Sequence, residues 1–131
     1  MIKKRLLLSS ILLFVGACTG GGGKMVEVTR FSPPTSVEVK PAARALVVSW
    51  KASPDEPEKD FAGYNVYVST NSLLLSSKND LPAPVEVNKG THSVTVKNLE
   101  TGKVYFVHVR SRRKNGEVSV PSLPEVVGRP E

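Results

Sequence analysis

Leu99-Glu100-Thr101-Gly102-Lys103-Val104-Tyr105-Phe106-Val107-His108-Val109-Arg110 is the stretch on which the fold turns. From Tyr105 onward, Tyr105, Val107 and Val109 recur at period two. In an extended chain such residues share one face, so the run reads as a strand with one buried side. The same alternation returns upstream. Leu46, Val48 and Trp50 alternate within residues 45–50, Tyr64, Val66 and Val68 within 64–68, and Val94 and Val96 share a face. Valine, threonine and aromatic enrichment agrees with strands. Downstream, Asn115-Gly116 sits between two such runs, which is a strong short hairpin signal. No window sustains helical periodicity. About seven short strands punctuated by proline and glycine predict an all-β fold, an antiparallel sandwich.

In this order and spacing the pieces resemble the fibronectin type III domain, over residues 32–129. Pro33-Pro34 with Val37 and Val39 resembles its first strand. Leu46-x-Val48-x-Trp50 resembles strand B, Gly63-Tyr64-Asn65-Val66-Tyr67 strand C, and Tyr105-x-Val107-x-Val109-x-Ser111 strand F. Asn115-Gly116-Glu117-Val118-Ser119, with Pro121-Ser122 after it, resembles the FG turn and strand G. The resemblance implies an immunoglobulin-like sandwich without disulfides. It makes Trp50 and Tyr64 core residues, and gives Leu99, Gly102 and Tyr105 the spacing of a tyrosine corner. Gly102 can adopt angles other residues resist, and the buried Tyr105 hydroxyl would return to a backbone group near Leu99. A C′ strand is expected near Leu73–Leu75. Pro82 and Pro84 disfavour a central strand after it.

The amino terminus carries different information. Met1-Ile2-Lys3-Lys4-Arg5 is a positive start, followed by an apolar run over residues 6–15. That run is too short to cross a bilayer, which takes about 20 helical residues. It has the layout of a secretory signal. Val15-Gly16-Ala17-Cys18 then resembles the lipobox of bacterial lipoproteins, an aliphatic residue and two small ones before cysteine. The resemblance implies cleavage between Ala17 and Cys18 and diacylglycerol on the Cys18 sulfur. Two or more acyl chains anchor stably, since each buried methylene contributes about 0.8 kcal/mol. The expected organisation is a signal over 1–17, a lipidated cysteine and glycine-rich linker over 18–31, and one domain over 32–129. Thr19 stands where an Asp would resemble an inner-membrane retention signal, so the outer membrane is favoured within the bacterial envelope.

Composition narrows the function. The formal charge of +6 falls to about +3 once Lys3, Lys4 and Arg5 are removed, an ordinary value for a small domain. No nucleic-acid-binding motif is present, and nucleic acid is not an expected partner. Cys18 is the only cysteine. His92 precedes Ser93 on a strand, so the two point to opposite faces and pair poorly as base and nucleophile. No Gly-x-Ser-x-Gly or phosphate loop occurs. No catalytic residue, cofactor or metal is assigned. The acidic loop over 54–60 lacks the spaced glycine of an EF-hand loop and is expected to be solvated.

Parity leaves one candidate face. If Tyr105, Val107 and Val109 point inward, then Phe106, His108, Arg110 and Arg112 point outward. On strand C, Tyr67 does the same. Strands C and F are neighbours in the family the chain resembles. Tyr67, Phe106, His108, Arg110 and Arg112 are thus expected to form an exposed interaction face, since aromatics and arginines dominate interface energies. The expected function is a membrane-anchored envelope module that binds a protein or glycan of the envelope or host. The alternatives are a structural brace of a larger envelope complex and an accessory domain to a polysaccharide-degrading activity.

Overall fold

The computed structural model describes residues 30–131. The readings on Ala17, Cys18 and the glycine-rich linker lie outside the described residues. Seven strands form, in chain order β1 (Thr35–Ala42), β2 (Ala45–Lys51), β3 (Phe61–Ser69), β4 (Val85–Asn88), β5 (Ser93–Val96), β6 (Tyr105–Arg113) and β7 (Val126–Gly128). A 3-10 turn covers Lys78–Asp80. Among the described residues, no helix is long and apolar enough to cross a membrane.

The strands make two antiparallel sheets, ordered β1-β2-β5 and β4-β3-β6-β7. Their inner faces are the period-two positions of the sequence. Leu46, Val48 and Trp50 of β2 meet Tyr64 and Val66 of β3 and Tyr105, Val107 and Val109 of β6 in one core. Each strand must put its apolar side somewhere dry, and two sheets face to face satisfy both at once. At one end the core becomes a chain of edge-to-face aromatic contacts. Phe31 meets Phe61 at 5.7 Å, Phe61 meets Tyr64 at 5.2 Å, and Tyr64 meets Trp50 at 5.4 Å between ring centroids. Phe31, expected in the linker, is therefore part of the core.

Tyr105 makes the expected corner. Its ring is buried and its hydroxyl oxygen accepts the Glu100 N–H at 2.9 Å. Gly102 takes a φ of +79° in the turn beneath it, which a side chain would resist. Tyr105→Phe keeps the ring and removes only this acceptor. Its expected cost is about 1 kcal/mol, readable as a shift of the urea midpoint at unchanged slope.

Two expectations need correction. The C′ strand is not at Leu73–Leu75. Those residues form a turn closed by the Ser76 N–H on the Leu73 carbonyl at 3.1 Å. Leu73 is buried, Leu74 half-buried and Leu75 fully exposed. The strand that pairs with β3 is β4, where Val85 and Val87 alternate. Pro84 lacks an N–H, so the ladder starts only after it. Strand G is also broken. The Asn115-Gly116 turn forms, with Gly116 at a φ of +93° and the Arg113 N–H on the Glu117 carbonyl at 2.8 Å. Beyond it only an isolated bridge, Arg112 with Val118, precedes β7. Pro121 and Pro124 cannot donate to a ladder. Ser119 and Ser122 take the place of backbone there: their hydroxyl oxygens accept the Ser111 and Val109 N–H groups at 3.0 and 2.9 Å.

Candidate interaction face

The outer face of the β4-β3-β6-β7 sheet carries the five residues singled out by parity. Pairing of β3 with β6 sets Tyr67 opposite His108, Asn65 opposite Arg110, Gly63 opposite Arg112 and Ser69 opposite Phe106. Pairing of β6 with β7 sets Phe106 beside Val127. Their outward direction is as expected. Their exposure is not: His108 is fully buried, and Tyr67 and Arg110 each retain 4% of their surface. Phe106 and Arg112 are half-buried.

Two segments account for the cover. The connection 70–84 and the run 117–125 are joined by Glu125, whose carboxylate accepts the Ser72 hydroxyl at 2.7 Å and the Leu73 N–H at 3.0 Å. Leu73 is buried at this junction. Between the two segments an open cleft of about 440 Å³ remains. Tyr67 and Asn65 line it, with Leu81, Pro82 and Pro84 on one side and Val118 on the other.

Beneath this cover the residues form one polar network. Arg112 Nη1 donates to Asn65 Oδ1 at 2.6 Å and to the Tyr64 carbonyl at 3.1 Å. Asn65 Nδ2 donates to the Tyr67 hydroxyl at 3.2 Å. The Tyr67 ring lies 5.1 Å from the His108 ring, and the Arg110 guanidinium sits 5.8 Å from the Tyr67 centroid. Arg110 Nε donates to His108 Nε2 at 3.1 Å, and Arg110 Nη1 to the Ser119 carbonyl at 3.2 Å. An imidazole nitrogen that accepts carries no proton. His108 is therefore neutral with its proton on Nδ1, which meets no acceptor among the described residues. Burial, reinforced by the Arg110 charge and opposed by Glu125, pulls His108 down to about 4. Arg110 is also lowered by burial, with Tyr67 acting against it. The guanidinium keeps its charge and uses the flat Tyr67 ring and two acceptors in place of a carboxylate.

The acidic loop over 54–60 is not simply solvated. Asp55 accepts the Ser32 N–H at 2.7 Å. Glu56 accepts the Tyr64 hydroxyl at 2.6 Å and contacts His92 Nε2 at 2.8 Å. Partial burial pushes Glu56 up, but the bonds from Tyr64 and His92 outweigh it and the carboxyl stays below its ordinary value. Burial and the same Glu56 bond raise Tyr64 well above the ordinary phenol range. Arg113 binds Asp60 at 2.6 Å, Glu117 at 3.2 Å and Glu58 at 3.4 Å, and lies over the Phe31 ring at 4.0 Å. These pairs hold the amino-terminal end of the domain. Residue types hinted at this, since the loop is acidic and the end of β6 is basic, but the pairing across 53 positions left no local trace. His92 and His108 lie apart, one at Glu56 and one on the outer face. Among the described residues, no group of three or more His, Cys, Asp or Glu is placed to hold a metal ion.

The fibronectin type III domain profile matches residues 32–127. No curated protein matches the chain. Among solved structures, an Fn3-like protein from Clostridium thermocellum superposes with a TM-score of 0.54 at 19% identity, over 79% of this chain and 96% of that one. A myokine gives 0.52 at 24% identity, over 76% and 98%. A beta-1,2-glucanase from Parabacteroides distasonis gives 0.56 at 19% identity, over 79% of this chain and 13% of the glucanase. At these identities the likeness is one of fold.

Proposed function

Because the chain belongs to the fibronectin type III family, we propose that it is a non-catalytic interaction module held at the bacterial envelope by lipid on Cys18. Domains of this family are typically binding or accessory modules, and a fold alone does not name a partner. The observation that carries the anchoring is the order of the amino terminus: a basic start, a ten-residue apolar run, then Gly16-Ala17-Cys18. Twelve residues, Thr19 to Arg30, separate the cysteine from the first core residue. Twelve residues span at most about 40 Å, so the sandwich stays close to the surface that holds Cys18. The outer membrane is the favoured location.

For contact with an envelope or host protein or glycan, Phe106 is the candidate residue the surface presents, with the half-exposed Val127 beside it. Tyr67, His108, Arg110 and Arg112 form the platform under it. Arginine and aromatic side chains there work by fixing the shape of the face.

Cys18→Ala tests the anchor. Cells grown with labelled fatty acid are expected to label the parent protein and not the variant, and the variant is expected to leave the membrane fraction. Labelling that persists in Cys18→Ala rejects the lipid assignment.

A further inference from the structure

We propose that the flank bearing Leu75, Val120, Leu123 and Val127 rests on the lipid surface to which the chain is tethered; this builds on the Cys18 anchor proposed above. These four are the large apolar side chains that the described residues leave exposed. All four belong to the two segments that cover the β4-β3-β6-β7 sheet or to β7, which continues one of them. Leu75 stands at the turn two residues after Leu73, and Leu123 two residues before Glu125. The Glu125 bonds to Ser72 and Leu73 bring the two loops together, so both leucines flank one junction. Val127 continues the apolar surface onto Phe106. The opposite sheet is different in kind. Its outward rows are Lys40, Val47 and Thr95, then Glu38, Ser49 and Ser93. The exposed large apolar side chains are thus gathered on one side of the domain, while the outward rows of the opposite sheet are mostly hydroxyl-bearing or charged.

The point of attachment selects the occupant. Arg30 and Phe31 line one cleft together with Lys78, Glu117, Val118, Ser119 and Val120. The chain from Cys18 therefore arrives on the apolar flank, beside Val120 and three positions from Leu75 in the connection. A tether of this length holds the domain at an effective concentration of order millimolar relative to its own bilayer. Weak apolar contact that would be negligible from solution is then populated. Arg30 and Lys78 in the same cleft suit anionic headgroups. The nearby carboxylates are already engaged, Glu117 by Arg113 and Glu125 by Ser72 and Leu73.

With the Cys18 sulfur in thioether linkage, an introduced cysteine is the only free thiol. Leu75→Cys, Leu123→Cys and, on the opposite sheet, Thr95→Cys carry a nitroxide in the mature lipoprotein, reconstituted in vesicles of phosphatidylethanolamine and phosphatidylglycerol. Labels at 75 and 123 are expected to collide several-fold more with oxygen, and several-fold less with an aqueous nickel chelate, than the label at 95. Equal accessibility at all three positions overturns the proposal while the acyl mass on Cys18 stands. An unacylated Cys18 in the purified protein overturns the tether and the contact together. Protection seen in native envelopes but not in protein-free vesicles assigns the flank to a protein partner and also overturns it.

Discussion

Gly63→Ala is expected to cost about 3 kcal/mol or more, at the top of the range for forcing extra volume into a packed site. Gly63 sits where β3 shifts register against β6, between Phe61 and Gly63. Here the backbone of β4 passes directly over its α-carbon. A methyl group would overlap the Val87 carbonyl oxygen and come within 3.0 Å of Arg112 Nη2. The carbonyl is part of a strand and cannot swing aside. A glycine at such a point marks close approach of another chain segment. Relief requires β4 to move off β3, with the Arg112 guanidinium giving way as well, and this opens the platform of the outer face. For a domain of this size, the melting temperature is expected to fall by roughly 15 °C. Hydrogen exchange would locate the damage, with the amides of β4 losing protection first. A variant that melts within a few degrees of the parent contradicts the packing described here. Gly128 gives a milder comparison: its added methyl would meet the Val39 and Leu46 side chains at 2.6 and 2.9 Å, and side chains can adjust.

Acid is expected to weaken the fold well before carboxylates titrate. His108 is neutral in the folded protein down to about 4, against an ordinary value of 6.5. Between those values the unfolded chain binds a proton that the folded one refuses. Linkage then requires stability to be full above the ordinary value and to fall as pH drops through the interval. From about pH 7 to about pH 5 the loss is about 2 kcal/mol, at 1.36 kcal/mol per unit of difference. Glu56 adds a second loss at lower pH, because its folded carboxyl also titrates below its ordinary value. Urea midpoints at the two pH values measure the first effect. In His108→Gln the slope over this interval is expected to flatten, whatever the variant's absolute stability. A slope unchanged by that substitution would mean that His108 is accessible and charged in the folded state.

The sandwich was legible because its signal is local. Leu46, Val48 and Trp50, or Tyr105, Val107 and Val109, announce a buried face by parity alone, and each sits in the core. Gly102 and Tyr105 were legible for the same reason, since a turn and its corner lie within a few residues. The outward direction of Tyr67, His108 and Arg110 also followed from parity. Their burial did not, because it depends on the connection 70–84 and on Glu125, which is 52 positions from Leu73. Parity says which way a side chain points and is silent about what lies over it. Leu73-Leu74-Leu75 is apolar but does not alternate, and it forms a turn rather than a strand. Val85 and Val87, with Pro84 just before, carried the better period-two pattern. Asn115-Gly116 located its turn, but the ladder after it was lost to Pro121 and Pro124, which the hairpin pattern does not weigh.

The serine hydroxyls beside β6 have one more consequence. An uncovered row of amides is a template on which neighbouring copies can stack into fibres. Along β6 that row is filled by Ser119 and Ser122, side chains that cannot themselves extend a ladder. Of the strands left at the margins, β4, β5 and β7 span only three or four residues each, while β1 spans eight and is interrupted by its register shift between Thr35 and Glu38 and by Pro41. The one long margin is therefore β1, and its irregular start and Pro41 shorten the run of amides it offers to a neighbouring copy at high density.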